Sequence, residues 1–202
     1  MGLFICLQQG IVVNSFPVIS VHKEIEMFRM LLIACCLVSF SALANGGAAL
    51  SELVNQRLGY MKDVAGYKAQ QHLPIEDLAQ EAKVLASTQA EAGRLGLDPL
   101  SVRPFIIAQM DAAKAIQYRY RADWLAQPES GWQPRPLEQV RPQIAELSSR
   151  ILQRLAQELK AGGLTESARS RFIQAIDQNN LSEADKQRLF TALLAVRAAK
   201  AE

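Results

Sequence analysis

From residue 50 onward the apolar positions recur at steps of three and four. Leu50, Leu53, Val54, Leu58, Met61, Val64 and Ala65 trace one face of a helix. Val102, Phe105, Ile106, Ala112, Ala113 and Ile116 trace another, with Gln109, Gln117 and Tyr120 on the same stripe. No segment alternates with the period of two that a half-buried strand needs. The pattern predicts an all-α protein of about six helices, three of them long. Punctuation sets the boundaries. The first helix runs from about Ala49 to Gln71 and stops before Leu73-Pro74, because a residue preceding proline disfavours helix. A second is expected from about Ile75 to Leu95, with Glu76 and Asp77 at its positive end. Gly96-Leu97-Asp98-Pro99 then combines a left-handed stop, an N-cap and a first-turn proline. The third helix extends to about Leu125, and Pro104 predicts a bend or a short separate turn near its start. Gln127 to Pro136, with three prolines and Trp132, reads as an irregular linker. A return helix follows from Leu137 to Ala161, before Gly162-Gly163. Helices from Thr165 to Gln178 and from Ser182 close the chain, the last with Asp185 three residues after the cap.

Polar residues that interrupt the apolar stripes carry the chemistry. Arg57 and Lys68 fall on the first stripe, where a helix facing a core carries Leu or Ala. On one helix they lie about three turns plus roughly 20° apart, with bases about 16 Å apart along the axis. A buried cation without a partner is costly, so two of them aimed inward suggest a pocket for an anion with more than one negative group. The same spacing is equally compatible with pairing to the chain's own carboxylates or with side chains reaching the surface. Gln117 sits beside Ala112 and Ala113, which leave room for a ligand or allow close helix packing. Arg141 lies near the start of the return helix.

Composition narrows the class. Half the residues are hydrophobic and only 6% aromatic, which suits a helical core. The formal net charge of +2 argues against a nucleic-acid surface. Cys6, Cys35 and Cys36 all precede residue 45. Arg29, the apolar run Leu31 to Phe40 and Ala42-Leu43-Ala44 have the order of a secretory signal, and the run is too short to span a bilayer. Residues 1–44 are therefore expected to be an over-long start plus a cleaved signal (about 27–44), with translation beginning at Met27 or Met30. A lipoprotein signal at Leu32-Ile33-Ala34-Cys35 is disfavoured by the few apolar residues before the cysteine. The mature chain, 45–202, would be periplasmic or secreted and free of cysteine. It divides into catalytic helices (45–126), linker (127–136), and return and C-terminal helices (137–202). Gly46-Gly47 and Gly162-Gly163 lack the flanks of a phosphate loop, and His72 alone cannot build a histidine metal site or triad. Tyr118-Arg119-Tyr120-Arg121 reads as a solvated face, and Trp124 and Trp132 as core or linker anchors.

The combination Arg57-Leu58, Met61, Val64-Ala65, Tyr67-Lys68, Leu73-Pro74-Ile75-Glu76-Asp77, Glu81-Ala82, Gly96-Leu97-Asp98-Pro99, Ala108-Gln109, Ala112-Ala113-Lys114, Ile116-Gln117 and Asp123-Trp124 resembles the all-helical chorismate mutases, specifically their exported gamma-type branch. The resemblance implies conversion of chorismate to prephenate, a Claisen-type rearrangement with no cofactor, metal or covalent intermediate. It implies that Arg57 and Lys68 bind the substrate's carboxylates and that Lys68 and Gln117 face its ether oxygen. Asp77 (through its backbone) and Glu81 would meet the ring hydroxyl, and Arg141 would complete the pocket within one protomer. Relatives of this branch are often homodimers; no nucleic-acid partner and no membrane attachment after signal cleavage are implied. Two positions depart from the family pattern. Gln80 stands where an arginine is usual, a loss of about 1–3 kcal/mol of carboxylate binding, or about ten- to hundredfold in efficiency. Ala113 stands where a hydroxyl residue is frequent. A C-terminal disulfide of some relatives cannot form. Alternatives on the same scaffold are a weak or silent chorismate-like ligand-binding protein and an isochorismate pyruvate-lyase.

Overall fold

The computed structural model describes residues 47–200, and these are helical with no strand among them. The signal sequence expected before residue 45 lies outside the described residues. In chain order the elements are α1 (47–59), then α2 (Met61–Gln70), α3 (Leu78–Arg94), α4 (Pro99–Ala126) and α5 (Leu137–Lys160). A short 3-10 turn (Glu166–Ala168) leads into α6 (Arg169–Ala175), and α7 (Glu183–Leu194) ends the series. With α1 and α2 counted as one interrupted helix, six α-helices are present among the described residues.

The interruption is a correction to the single helix predicted over 49–71. It falls at Gly59-Tyr60, although Tyr60 keeps helical angles (φ −73°, ψ −11°). Just before the break, Gln178 Nε2 donates to the Asn55 carbonyl at 3.1 Å, a contact from the far end of the chain. The second helix starts at Leu78 rather than Ile75, because Asp77 is its N-cap and accepts from the Gln80 N–H at 3.0 Å. His72, at the preceding helix end, is left-handed (φ 52°). α4 is continuous through Pro104, so no separate turn forms; the proline lies close enough to the start that little of the ladder is lost. The helix predicted from Thr165 to Gln178 shrinks to α6, and the chain turns extended at Ile176, which buries that side chain completely.

α4 is the central element, packed against α2, α3 and α7, while α5 returns across α2 and α3. Leu50, Val54, Leu58, Phe105 and Ile116, apolar positions expected from the helical period, are buried in the core together with Ile151, Leu155, Phe172 and Phe190. Gly96 adopts φ 78° between α3 and α4, a left-handed angle that costs glycine little. The chain end returns there: Leu97 and Ala198 form an isolated bridge, and Asp98 N–H donates to the Arg197 carbonyl at 2.9 Å. At α7 the capping box of Ser182 and Asp185 is formed on both sides.

The linker from α4 to α5 is strapped over α2. Trp132 lies so close to Gly66 that a Cβ there would sit 2.6 Å from the indole. Trp132 also packs on Trp124 (5.6 Å), which stacks on Tyr120 (5.3 Å). Buried Asp63 accepts the Arg135 backbone N–H at 3.0 Å and Nε at 2.8 Å, and its second oxygen also meets Nη2. That strap sets where α5 can begin its return.

Candidate active site

Five elements close around a cavity of about 270 Å³. α1 and α2 bring Arg57, Met61, Val64 and Lys68. The connection into α3 and its first turns bring Ile75, Asp77, Gln80 and Glu81. α4 adds Ala113, Lys114 and Gln117, and α5 adds Arg141, Ile144 and Ser148. All seven residues singled out from the sequence (Arg57, Lys68, Asp77, Gln80, Glu81, Gln117 and Arg141) line this one cavity.

Arg57 is 6% exposed. Its Nε donates to Ser148 Oγ at 3.0 Å, and that hydroxyl in turn donates to the Ile144 carbonyl at 2.8 Å. Its Nη1 is buried without a hydrogen-bond partner. Burial pushes the guanidinium pKa down to about 10, which still leaves it charged at neutral pH. Lys68 is also buried, and its Nζ donates to the Ile75 carbonyl at 2.6 Å. Burial lowers its pKa; Asp77 opposes that, Arg141 and Arg121 add to it, and Glu81 opposes it. Neither cation forms a salt bridge with a carboxylate among the described residues, so the pairing alternative open at the level of sequence is not what the fold adopts.

Gln117 is held by one amide N–H on the Ala113 carbonyl at 3.0 Å, with Met61 Sδ at 3.7 Å. Its Oε1 is buried and unpartnered. At the outer side, Glu81 accepts from Lys114 Nζ at 3.1 Å and, at 3.4 Å, from the Asp77 N–H. Burial pulls the Lys114 pKa down, but hydrogen bonding to Glu81 and the charges of Glu81 and Asp111 outweigh it and leave it raised. Arg141 is half-exposed, with Nη2 3.8 Å from Asp77 Oδ2. The inner end thus offers cations and an amide on neutral acceptors, and the mouth carries paired charges.

Sequence reasoning missed three contributors. Ser148 lies two turns after Arg141 on the same face of α5, a periodicity that could have flagged it. Lys114 stands one turn before Gln117 on α4. Arg121, taken with Arg119 as part of a solvated face, instead donates to the Leu73 carbonyl at 2.6 Å and ties down the loop that presents Ile75. Arg119 likewise reaches the Asn180 carbonyl and Asp185. No local pattern announces a loop carbonyl as a partner.

The family description "Chorismate mutase type II" matches residues 48–118. A secreted chorismate mutase of Yersinia pestis is 48% identical over 170 residues, 84% of this chain and 91% of that protein. A monofunctional chorismate mutase of Enterobacter agglomerans is 43% identical over 155 residues, 77% of this chain and 84% of that protein. The crystal structure of a secreted chorismate mutase from Yersinia pestis superposes with a TM-score of 0.70 at 52% identity, covering 74% of this chain and 97% of that one. This chain belongs to the type II chorismate mutase family, a family of all-helical isomerases. Among the described residues no helix is long and apolar enough to cross a membrane.

Proposed function

We propose that the chain rearranges chorismate to prephenate outside the cytoplasm, in a pocket supplied by a single protomer. One observation carries the site assignment: Arg57, with an unpartnered buried N–H, faces the same cavity as Lys68 and Gln117 while meeting no carboxylate of its own. A pocket that keeps positive charge uncompensated is suited to a dianion. The enolpyruvyl carboxylate takes the guanidinium of Arg57 in a two-pronged contact, a geometry lysine cannot copy. Lys68 keeps one N–H on Ile75 and directs others to a carboxylate and to the ether oxygen. Gln117 keeps one amide N–H on Ala113 and turns its second, which otherwise meets only the Met61 thioether at 3.7 Å, to the same oxygen. Asp77 (by its backbone) and Glu81 meet the ring hydroxyl, Gln80 lines the carboxylate side, and Arg141 closes the mouth.

The chemistry needs no proton transfer and no nucleophile. Holding the enolpyruvyl arm over the ring removes the conformational freedom that slows the reaction in water. As the C–O bond breaks, negative charge grows on the ether oxygen, and donors already placed there stabilise that charge without reorganising. The Yersinia pestis relative, whose name marks it as secreted, supports export, as does the signal-like stretch before residue 45. Pairing of two copies, each with its own complete pocket, belongs to the same reading.

The deciding assay follows chorismate loss and prephenate appearance with the purified chain 45–202. Turnover that drops about a hundred- to thousandfold in Lys68→Ala and in Arg57→Ala is expected. Tight chorismate binding without turnover would instead mean a ligand-binding protein.

A further inference from the structure

We propose that Ser148 is the positioning residue for Arg57, and that its neutrality is the property the site needs. The inference rests on the reading of Arg57 as a carboxylate-binding group. A guanidinium has five N–H groups in a rigid fork, and which of them point at a ligand depends on what holds the rest. Here Ser148 Oγ takes the Nε at 3.0 Å, and its own proton is committed to the Ile144 carbonyl at 2.8 Å. The hydroxyl therefore acts as an acceptor toward Arg57 and has one rotor position in which to do so. With Nε occupied from the α5 side, the fork is turned so that its Nη groups stay available, and Nη1 is buried with no partner.

The charge argument is separate from the geometric one. A carboxylate at position 148 would hold Arg57 more firmly, as Asp63 holds Arg135. It would also cancel the charge that the substrate is meant to meet, and the incoming carboxylate would have to displace it. A hydroxyl satisfies a donor while leaving the full positive charge in place. Ser148 lies two turns along α5 from Arg141, so the return helix contributes one group at the mouth and another behind the inner cation.

The test compares Ser148→Ala, Ser148→Thr and Ser148→Asp in the full mature chain, reading KM, kcat and thermal midpoint together. Loss of the acceptor in Ser148→Ala is expected to raise KM about five- to tenfold with a smaller change in kcat. Ser148→Thr keeps the hydroxyl and should restore KM to within about twofold of the starting chain. Ser148→Asp separates positioning from mere support. It should raise KM beyond the alanine variant, about tenfold or more, while its thermal midpoint equals or exceeds that of the alanine variant, because the buried guanidinium gains an ion pair. If activity instead follows the thermal midpoint across the three, or if Ser148→Asp binds chorismate as well as the starting chain does, the proposal is overturned. A starting chain that neither binds nor converts chorismate overturns the functional reading itself, an outcome distinct from normal turnover that Ser148 variants leave untouched.

Discussion

Three buried charges along the same helical arm are treated in two opposite ways. Asp63 meets Arg135 through the backbone N–H and two side-chain nitrogens, and the guanidinium lies 4.7 Å above the Tyr60 ring. Arg57 and Lys68, to either side of Asp63 in the chain, meet only a serine hydroxyl and a backbone carbonyl. The first arrangement joins the linker to α2 and asks nothing of a ligand. The second leaves desolvated cations without an ion-pair partner, a cost that an anion entering the cavity would offset. Stability and proposed function are thus built from the same residue types a turn or two apart, and the acceptor distinguishes them.

The contrast can be broken most forcefully at the cations themselves. Arg57→Met should reduce kcat/KM by about a hundred- to thousandfold yet leave the thermal midpoint unchanged or raised, since a buried charge without a counter-ion is replaced by an apolar side chain of similar length. A large fall in melting temperature would show that Arg57 is structural after all. Asp63→Ala should do the reverse. Denaturant unfolding should register a loss of about 1–3 kcal/mol, less than a fully buried pair would cost because Arg135 is half-exposed. Its kcat/KM should fall far less than in Arg57→Met.

Two milder changes sharpen the picture at the cavity. Gln117→Glu would place a carboxyl at the ether-oxygen position, where only its protonated form donates. Activity should then be highest at low pH and decline as pH rises through that group's pKa, whereas the glutamine chain shows no such acidic requirement at this position. On the alkaline side, Lys68 has a pKa lowered by burial, so kcat/KM should fall below the ordinary lysine range as the amine loses its proton. For stability the sign is opposite: desolvating charged Lys68 is a cost below its folded-state pKa, and that cost is relieved as pH rises above it. Gln80→Arg is the smallest expected effect, a rise of up to about tenfold in kcat/KM from one added carboxylate contact. An unchanged rate would show that the usual arginine is dispensable in this cavity.

Much of this arrangement is legible in the sequence, for identifiable reasons. Helical period, Gly96, Asp98 and the Ser182 cap are local signals, and the elements they predict are present. Arg57, Lys68 and Gln117 were conspicuous because each interrupts an apolar stripe. The break at Gly59-Tyr60 was not legible, since it accompanies a contact with Gln178 more than a hundred positions downstream. Ser148 and Arg121 escaped for a related reason: a serine on a helix and an arginine in a mixed Tyr-Arg run look solvated until a distant segment folds against them. The Asp63–Arg135 bond joins a helix to a proline-rich linker with no period to read.

Gly66 shows how far such distant dependence reaches. Its missing side chain leaves room for the Trp132 indole, and that indole is wedged between Trp124 and the ammonium of Lys62. Even a methyl group there would have to lift the ring, and with it the strap that delivers α5 to the cavity. The far wall of the pocket is therefore specified by a bare α-carbon that forms no part of its lining.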